Sequence, residues 1–241
     1  MKTISFFATI MLAAVFAFGQ KQNIDEVKVT PPKFTGLNNA ISMMNDGKFE
    51  SIEDYLARNI EYPEKDAKIL NQGTEVVQFI VSPTGELTDF TVINSVSPQF
   101  NEEVIRVLKT TNGMWEPGFN NSNPVAMEKE VSVVFKIEGN RFTPDFKTQA
   151  SKHFSKGGEV FLTEHNPKKA LKHYDKGILL LPSDESLLLM RGLARYETGD
   201  KDGAIRDWER IKMLGGNLND DLLGKISSLK GYEELTHILS E

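Results

Sequence analysis

Residues 73–82 alternate imperfectly, with Val77, Phe79 and Val81 on one side and Val76, Gln78 and Ile80 on the other. That period of two predicts a strand. Pro83-Thr84-Gly85 follows as a hairpin turn, with proline preset for the bend and glycine free for positive φ. Residues 86–94 return as a second strand carrying Leu87, Phe90, Val92 and Ile93. Phe100, Val104, Val107 and Leu108 then recur at helical spacing, which predicts a helix over 100–109 with one buried face. Residues 125–137 read as a third strand. A helix precedes the set: Ser51 caps it, Glu53 and Asp54 sit in its first turn, and Ile52, Tyr55, Leu56 and Ile60 share a face. Pro63 stops that helix, because proline disfavours the helical region for the residue before it.

After Pro144 the pattern is helical throughout. The expected fold is therefore α+β: a small domain with an antiparallel sheet packed by helices, over 49–140, followed by an all-α domain over 146–241. Residues 20–48 mix charge with Pro31-Pro32 and few apolar groups, and read as a linker.

The N-terminus adds a further signal. Lys2 gives a short positive region, residues 4–18 are apolar apart from Ser5 and Thr9, and Ala17-Phe18-Gly19 suits cleavage. The apolar run falls short of the ~20 residues a membrane-spanning helix needs. Residues 1–19 read as a cleaved secretory signal peptide, which predicts an exported protein. The alternative keeps them as an inner-membrane anchor.

Composition narrows the chemistry. The net charge is −6, the acidic excess lies before residue 146, and no basic patch favours nucleic acid. Cysteine is absent, which removes disulfides, thiolate metal sites and cysteine nucleophiles. His153, His165, His173 and His237 lack metal-ligand spacing and read mostly as solvated helix positions. No nucleophile elbow, phosphate loop or dinucleotide fingerprint occurs, so no catalytic residue, cofactor or metal is assigned and the protein reads as a non-enzyme.

One order of punctuation is more specific. Tyr62-Pro63, Gly73-Thr74, the turn at Ser82-Pro83-Thr84-Gly85, Trp115-Glu116-Pro117-Gly118 and the closing Val131-Ser132-Val133-Val134-Phe135 together resemble the C-terminal domain of the TonB energy-transducer family, over about 52–137. The resemblance implies docking on outer-membrane transporters, with the last strand pairing an extended partner segment by strand addition. Its implied partner-binding residues are Arg58, Tyr62, Pro63, Val131, Ser132, Val133, Val134 and Phe135. Of these, the Val133 and Phe135 side chains read as core, which leaves the backbone edge as the candidate contact. The chain departs from a transducer: it lacks the anchor-helix Ser/His pattern and a long proline-rich spacer.

The helical half resembles tetratricopeptide repeats. Phe154, Gly158, Phe161, Ala170, Tyr174, Gly177 and Pro182 fit the 34-residue pattern, and Leu188, Gly192, Ala204 and Trp208 repeat it over about 151–216. Leu222, Leu223, Ile226 and Leu229, then Leu235, Ile238 and Leu239, are expected to cap the array. The resemblance implies a concave protein-binding face containing Lys152, Ser155, Glu159, Leu162, Ser186, Leu189, Leu193 and Tyr196. The expected function is protein binding in the cell envelope, with outer-membrane transporters as candidate partners. A membrane-anchored energy transducer and a structural envelope scaffold are the alternatives.

Overall fold

The computed structural model describes residues 4–7, 28–36, 51–137, 145–216 and 220–240. The chain divides into two compact units, Met1–Glu138 and Gly139–Glu241. The first is α+β and the second is helical.

In the first unit, helix α1 (Ile52–Asn59) begins where sequence placed it, with Ser51 Oγ accepting from the Asp54 amide at 3.1 Å. It ends because Ile60 is extended, three residues before Pro63. Pro63 instead caps a short second helix, α2 (Glu64–Lys68). Strands β4 (Gly73–Val81) and β5 (Leu87–Asn94) form the expected hairpin. Gly85 closes it at φ +81, and its Cα lies so close to the Trp115 carbonyl that a Cβ would sit 2.3 Å from that oxygen. Helix α3 (Pro98–Lys109) starts at the Ser97 cap, and strand β9 (Met127–Phe135) pairs antiparallel with β4 along its whole length.

The core lies between this sheet and the helices. Val77, Phe79 and Val81 from β4 meet Val131, Val133 and Phe135 from β9, and Leu56, Phe100, Val104, Val107 and Leu108 from the helices close over them. Each large apolar side chain buried this way contributes about 1.5–3 kcal/mol. Trp115 anchors the far side, donating Nε1 to Thr111 Oγ1 at 3.0 Å and meeting Phe79 edge to face at 5.4 Å.

Part of the expected linker belongs to this unit. Strand β2 (Val29–Thr30) pairs with β7 (Gly118–Asn120), which also pairs with β8 (Asn123–Val125). Strand β3 (Lys33–Phe34) pairs with β6 (Trp115–Glu116). Phe34 is the reason: it is buried, edge to face with Trp115 at 5.3 Å and with Tyr55 at 5.8 Å. Residues 20–27 and 37–48 of the linker reading lie outside the described residues. So does most of the expected leader, yet Ile4–Phe7 forms a strand, β1, on the outer edge of β9.

The second unit stacks helical hairpins. Helix α4 (Phe146–Gly158) runs into a π-helical turn at Glu159–Thr163, then α5 (Pro167–Leu180), α6 (Glu185–Thr198) and α7 (Lys201–Met213) follow. Gly199, at φ +92, ends α6 in the left-handed conformation. Helices α8 (Asp220–Ile226) and α9 (Tyr232–Ser240) bring Ile226 and Leu235 into the same core.

One glycine assignment is corrected. Gly192 receives Trp208, with an added Cβ only 2.2 Å from the indole nitrogen. Its counterpart by 34-residue spacing is Gly158, but a Cβ on Gly158 would meet nothing within 4 Å. Gly157 instead receives Tyr174, at 2.5 Å. The π turn explains the offset: its i→i+5 bonding accommodates one extra residue between the glycine and its aromatic partner.

Candidate functional site

The sheet order β1-β9-β4-β5 makes β9 the strand between the hairpin and the outer edge. Backbone direction along β9 follows from two side-chain bonds. Asn94 Nδ2, on β5, donates to the Thr74 carbonyl at 2.7 Å, so even-numbered backbone groups at that end of β4 face β5 and odd-numbered ones face β9. Glu75 pairs with Val133, which puts the odd positions of β9 on the β4 ladder. The Ile137 amide agrees, donating toward the β4 side to Gln72 Oε1 at 2.9 Å. Ser132 and Val134 therefore aim their N–H and C=O groups away from β4, at the edge where β1 sits opposite them: Ser5 at Val134 and Phe7 at Ser132.

The remaining candidates divide between core and surface. Val131, Val133 and Phe135 are buried, as is Tyr62, which stacks edge to face on Phe100 at 5.1 Å and Phe135 at 5.8 Å. The Tyr62 hydroxyl donates to the Asn71 carbonyl, and burial, helped by Asp66, pushes its phenol up to about 12. These four side chains hold the unit together and are not an exposed contact surface. Arg58 is exposed in the last turn of α1, and Pro63 is half-buried.

Sequence reasoning missed Glu75. It lies on the same strand face as Val77 and Phe79, and is fully buried. An acid in register with three core positions was the available signal. Its Oε2 accepts from the Val96 amide at 2.9 Å. With the Asn101 amide nitrogen turned toward the carboxyl, Asn101 donates to Oε1 at 2.6 Å and to the Ser97 carbonyl at 2.8 Å. Burial pushes the carboxyl up to about 8, against the downward pull of the Val96 amide. Glu75 thus ties β4 to the β5–α3 junction.

In the helical unit, Lys152, Ser155 and Glu159 are exposed and line a shallow depression with Ser151 and Lys156. Leu162 and Ser186 are half-buried. Leu189 and Leu193 are fully buried among core side chains, so they do not line an open face. Tyr196 stacks on Trp208 at 5.8 Å, beneath the Lys201 ammonium at 5.2 Å. The buried Asp207 carboxylate holds Arg191 at 2.7 Å and Arg195 at 2.9 Å, which clamps α6 to α7.

His165 and His237 are exposed, as expected, while His153 and His173 are half-buried with ring centres 6.1 Å apart. Burial, then Lys176 and His173, hold the His153 imidazole below its usual range. Among the described residues no group of three or more acids and histidines is placed to hold a metal, and no helix is long and apolar enough to cross a membrane.

No curated protein matches the chain. Residues 58–137, from the last turn of α1 to just beyond β9, match the family model described as the Gram-negative bacterial TonB protein C-terminal.

Proposed function

We infer that this is a protein-binding component of a Gram-negative cell envelope, whose TonB-like unit recognises an extended segment of a partner at the β9 edge. One observation carries the reading: Ser132 and Val134 turn their backbone groups away from the parent hairpin, toward the outer edge of the sheet, where Ile4–Phe7 of the expected leader lies. Strand addition there draws affinity from main-chain hydrogen bonds. The buried Tyr62–Phe100–Phe135 cluster keeps the edge rigid, which lowers the ordering cost of binding. An outer-membrane transporter is the partner class that the family match favours. The mature protein is exported to the periplasm, beginning near Gln20, and its helical unit is a short tetratricopeptide-like array. The exposed Lys152, Ser155 and Glu159 are its candidate second surface.

The test is a photo-crosslinking amino acid at position 134 in cells, with adducts mapped by peptide mass spectrometry. Adducts confined to one extended segment of an envelope protein, and lost in the Ser132→Pro background, support strand addition. Adducts scattered over unrelated surfaces, or unchanged by that proline, refute it.

A further inference from the structure

Residues 146–180 carry seven lysines against three acids, in a chain whose net charge is −6. Those lysines are scattered along the sequence, and the packing of α4 on α5 gathers several of them at one seam. His153 of α4 and His173 of α5 meet there, both half-buried, with ring centres 6.1 Å apart. Lys176 faces His153 closely enough to act on its imidazole. Lys172 stands one turn before Lys176 on α5, and Lys152 adjoins His153 on α4; all three lysines are exposed. Lys156 is paired with Glu159 and Lys169 with Glu164, whereas Lys152, Lys172 and Lys176 form no ion pair among the described residues. Like charges gathered without a counter-charge repel one another and favour the arrival of an anion. We propose that the α4–α5 seam is a docking surface for an acidic, extended segment of a protein partner, with Lys172, Lys176 and His153 as its main contacts.

Spacing and composition choose this occupant. Lys172 and Lys176 lie four residues apart on a helix, about 6 Å along its axis. Alternate side chains of an extended segment lie ~6.7 Å apart, so acids at every second position meet both lysines. No large apolar side chain of α4 or α5 is exposed, so nothing on this face would enter a bilayer. Residues 146–180 contain no arginine, so the seam offers point charges and not the planar fork that grips phosphate. The surface is separate from the β9 edge and does not rest on that reading.

A carboxylate at the seam also shifts a proton equilibrium. In the free protein, burial, then Lys176 and His173, hold the His153 imidazole below its usual range. Glu159 and Glu164, in the turn between the helices, are already engaged by Lys156 and Lys169. An incoming carboxylate favours the charged ring, so binding takes up a proton and tightens as pH falls through the imidazole range.

The probe is a fluorescein-labelled octapeptide of alternating glutamate and serine, titrated by anisotropy at low salt against the chain beginning at Gln20. Lys172→Gln with Lys176→Gln should bind it at least about fivefold more weakly, as two exposed charge pairs are lost. Lys65→Gln with Lys68→Gln, an equal change of charge in the other unit, should match wild type. Wild type should tighten by at least about threefold from about pH 8 to about pH 5.5, where glutamate stays ionised, and His153→Gln should stay flat. No saturable binding by wild type, an equal loss in both lysine pairs, or a His153→Gln profile as steep as wild type's overturns the proposal. So does tighter binding to phosphatidylglycerol vesicles or duplex DNA, abolished by the Lys172 and Lys176 changes, which would assign the seam to a different anion. Ser132→Pro should leave peptide binding unchanged; a loss there would move the acidic segment to the β9 edge and overturn the seam.

Discussion

Glu75→Gln should abolish a pH dependence that the buried acid imposes on the α+β unit. The folded state holds the Glu75 proton up to about pH 8, while an unfolded chain releases it near the ordinary value of 4.5. Between those values the folded state binds more protons, so stability falls as pH rises, and it levels off above pH ~8. The gap converts to about 5 kcal/mol across the whole window, of which about 3 kcal/mol is lost by pH 7, at ~1.36 kcal/mol per pH unit. These are upper bounds, since Asn101 donation to the carboxylate works against the upward push of burial. Glutamine keeps an acceptor for the Val96 amide and cannot ionise. The assay is urea unfolding from pH 4 to 9, followed by Trp115 fluorescence. A Trp208→Phe background leaves Trp115 as the single indole, since the chain has two tryptophans. Wild type should lose midpoint steadily through the window while Glu75→Gln stays flatter, so the variant overtakes wild type toward alkaline pH. Parallel profiles, with the same offset at every pH, would refute a proton held at Glu75.

Other consequences are equally checkable. Gly157→Ala and Gly192→Ala should each lower the stability of the helical unit by about 1–3 kcal/mol, because an added methyl meets an aromatic ring. Gly158→Ala should raise it by up to ~1 kcal/mol, since that site is helical and open. Thermal melts of the three would confirm or reject the one-residue offset at the π turn. Asp207→Ala should cost about 1.5–3 kcal/mol, because both arginines lose their shortest bonds, although Arg191 keeps Asp175 at 3.5 Å and Arg195 keeps Asp200 at 3.7 Å; a loss under 1 kcal/mol would show that the clamp is idle. Gly85→Ala should destabilise the α+β unit by at least ~1 kcal/mol, from the left-handed backbone together with the Trp115 carbonyl; a wild-type urea midpoint would contradict this.

Long periodic elements were legible in the sequence. The hairpin, α3 and β9 follow from alternation, caps and a glycine turn, and Trp115 sits in the core as its size demands. Strands β2 and β3 were not, because two residues carry no periodicity and only Phe34 marks the segment as buried. The glycine offset was hidden because spacing counts residues, and a π turn changes how many residues lie between two points in space. The repeat pattern places Leu189 and Leu193 on an open face, yet both are buried in the core of the helical unit.

The central claim is that Ser132 and Val134 bind a partner through their backbone. Its most direct test is calorimetric titration of the crosslinked partner segment, as a synthetic peptide, into the chain beginning at Gln20. Ser132→Pro and Val134→Pro each remove one outward N–H without touching the β4 ladder. Each lost hydrogen bond is worth about 0.5–1.5 kcal/mol, and the ring adds a steric block, so each variant should bind about tenfold more weakly with the fold intact. Wild-type affinity in both folded variants would contradict strand addition at β9.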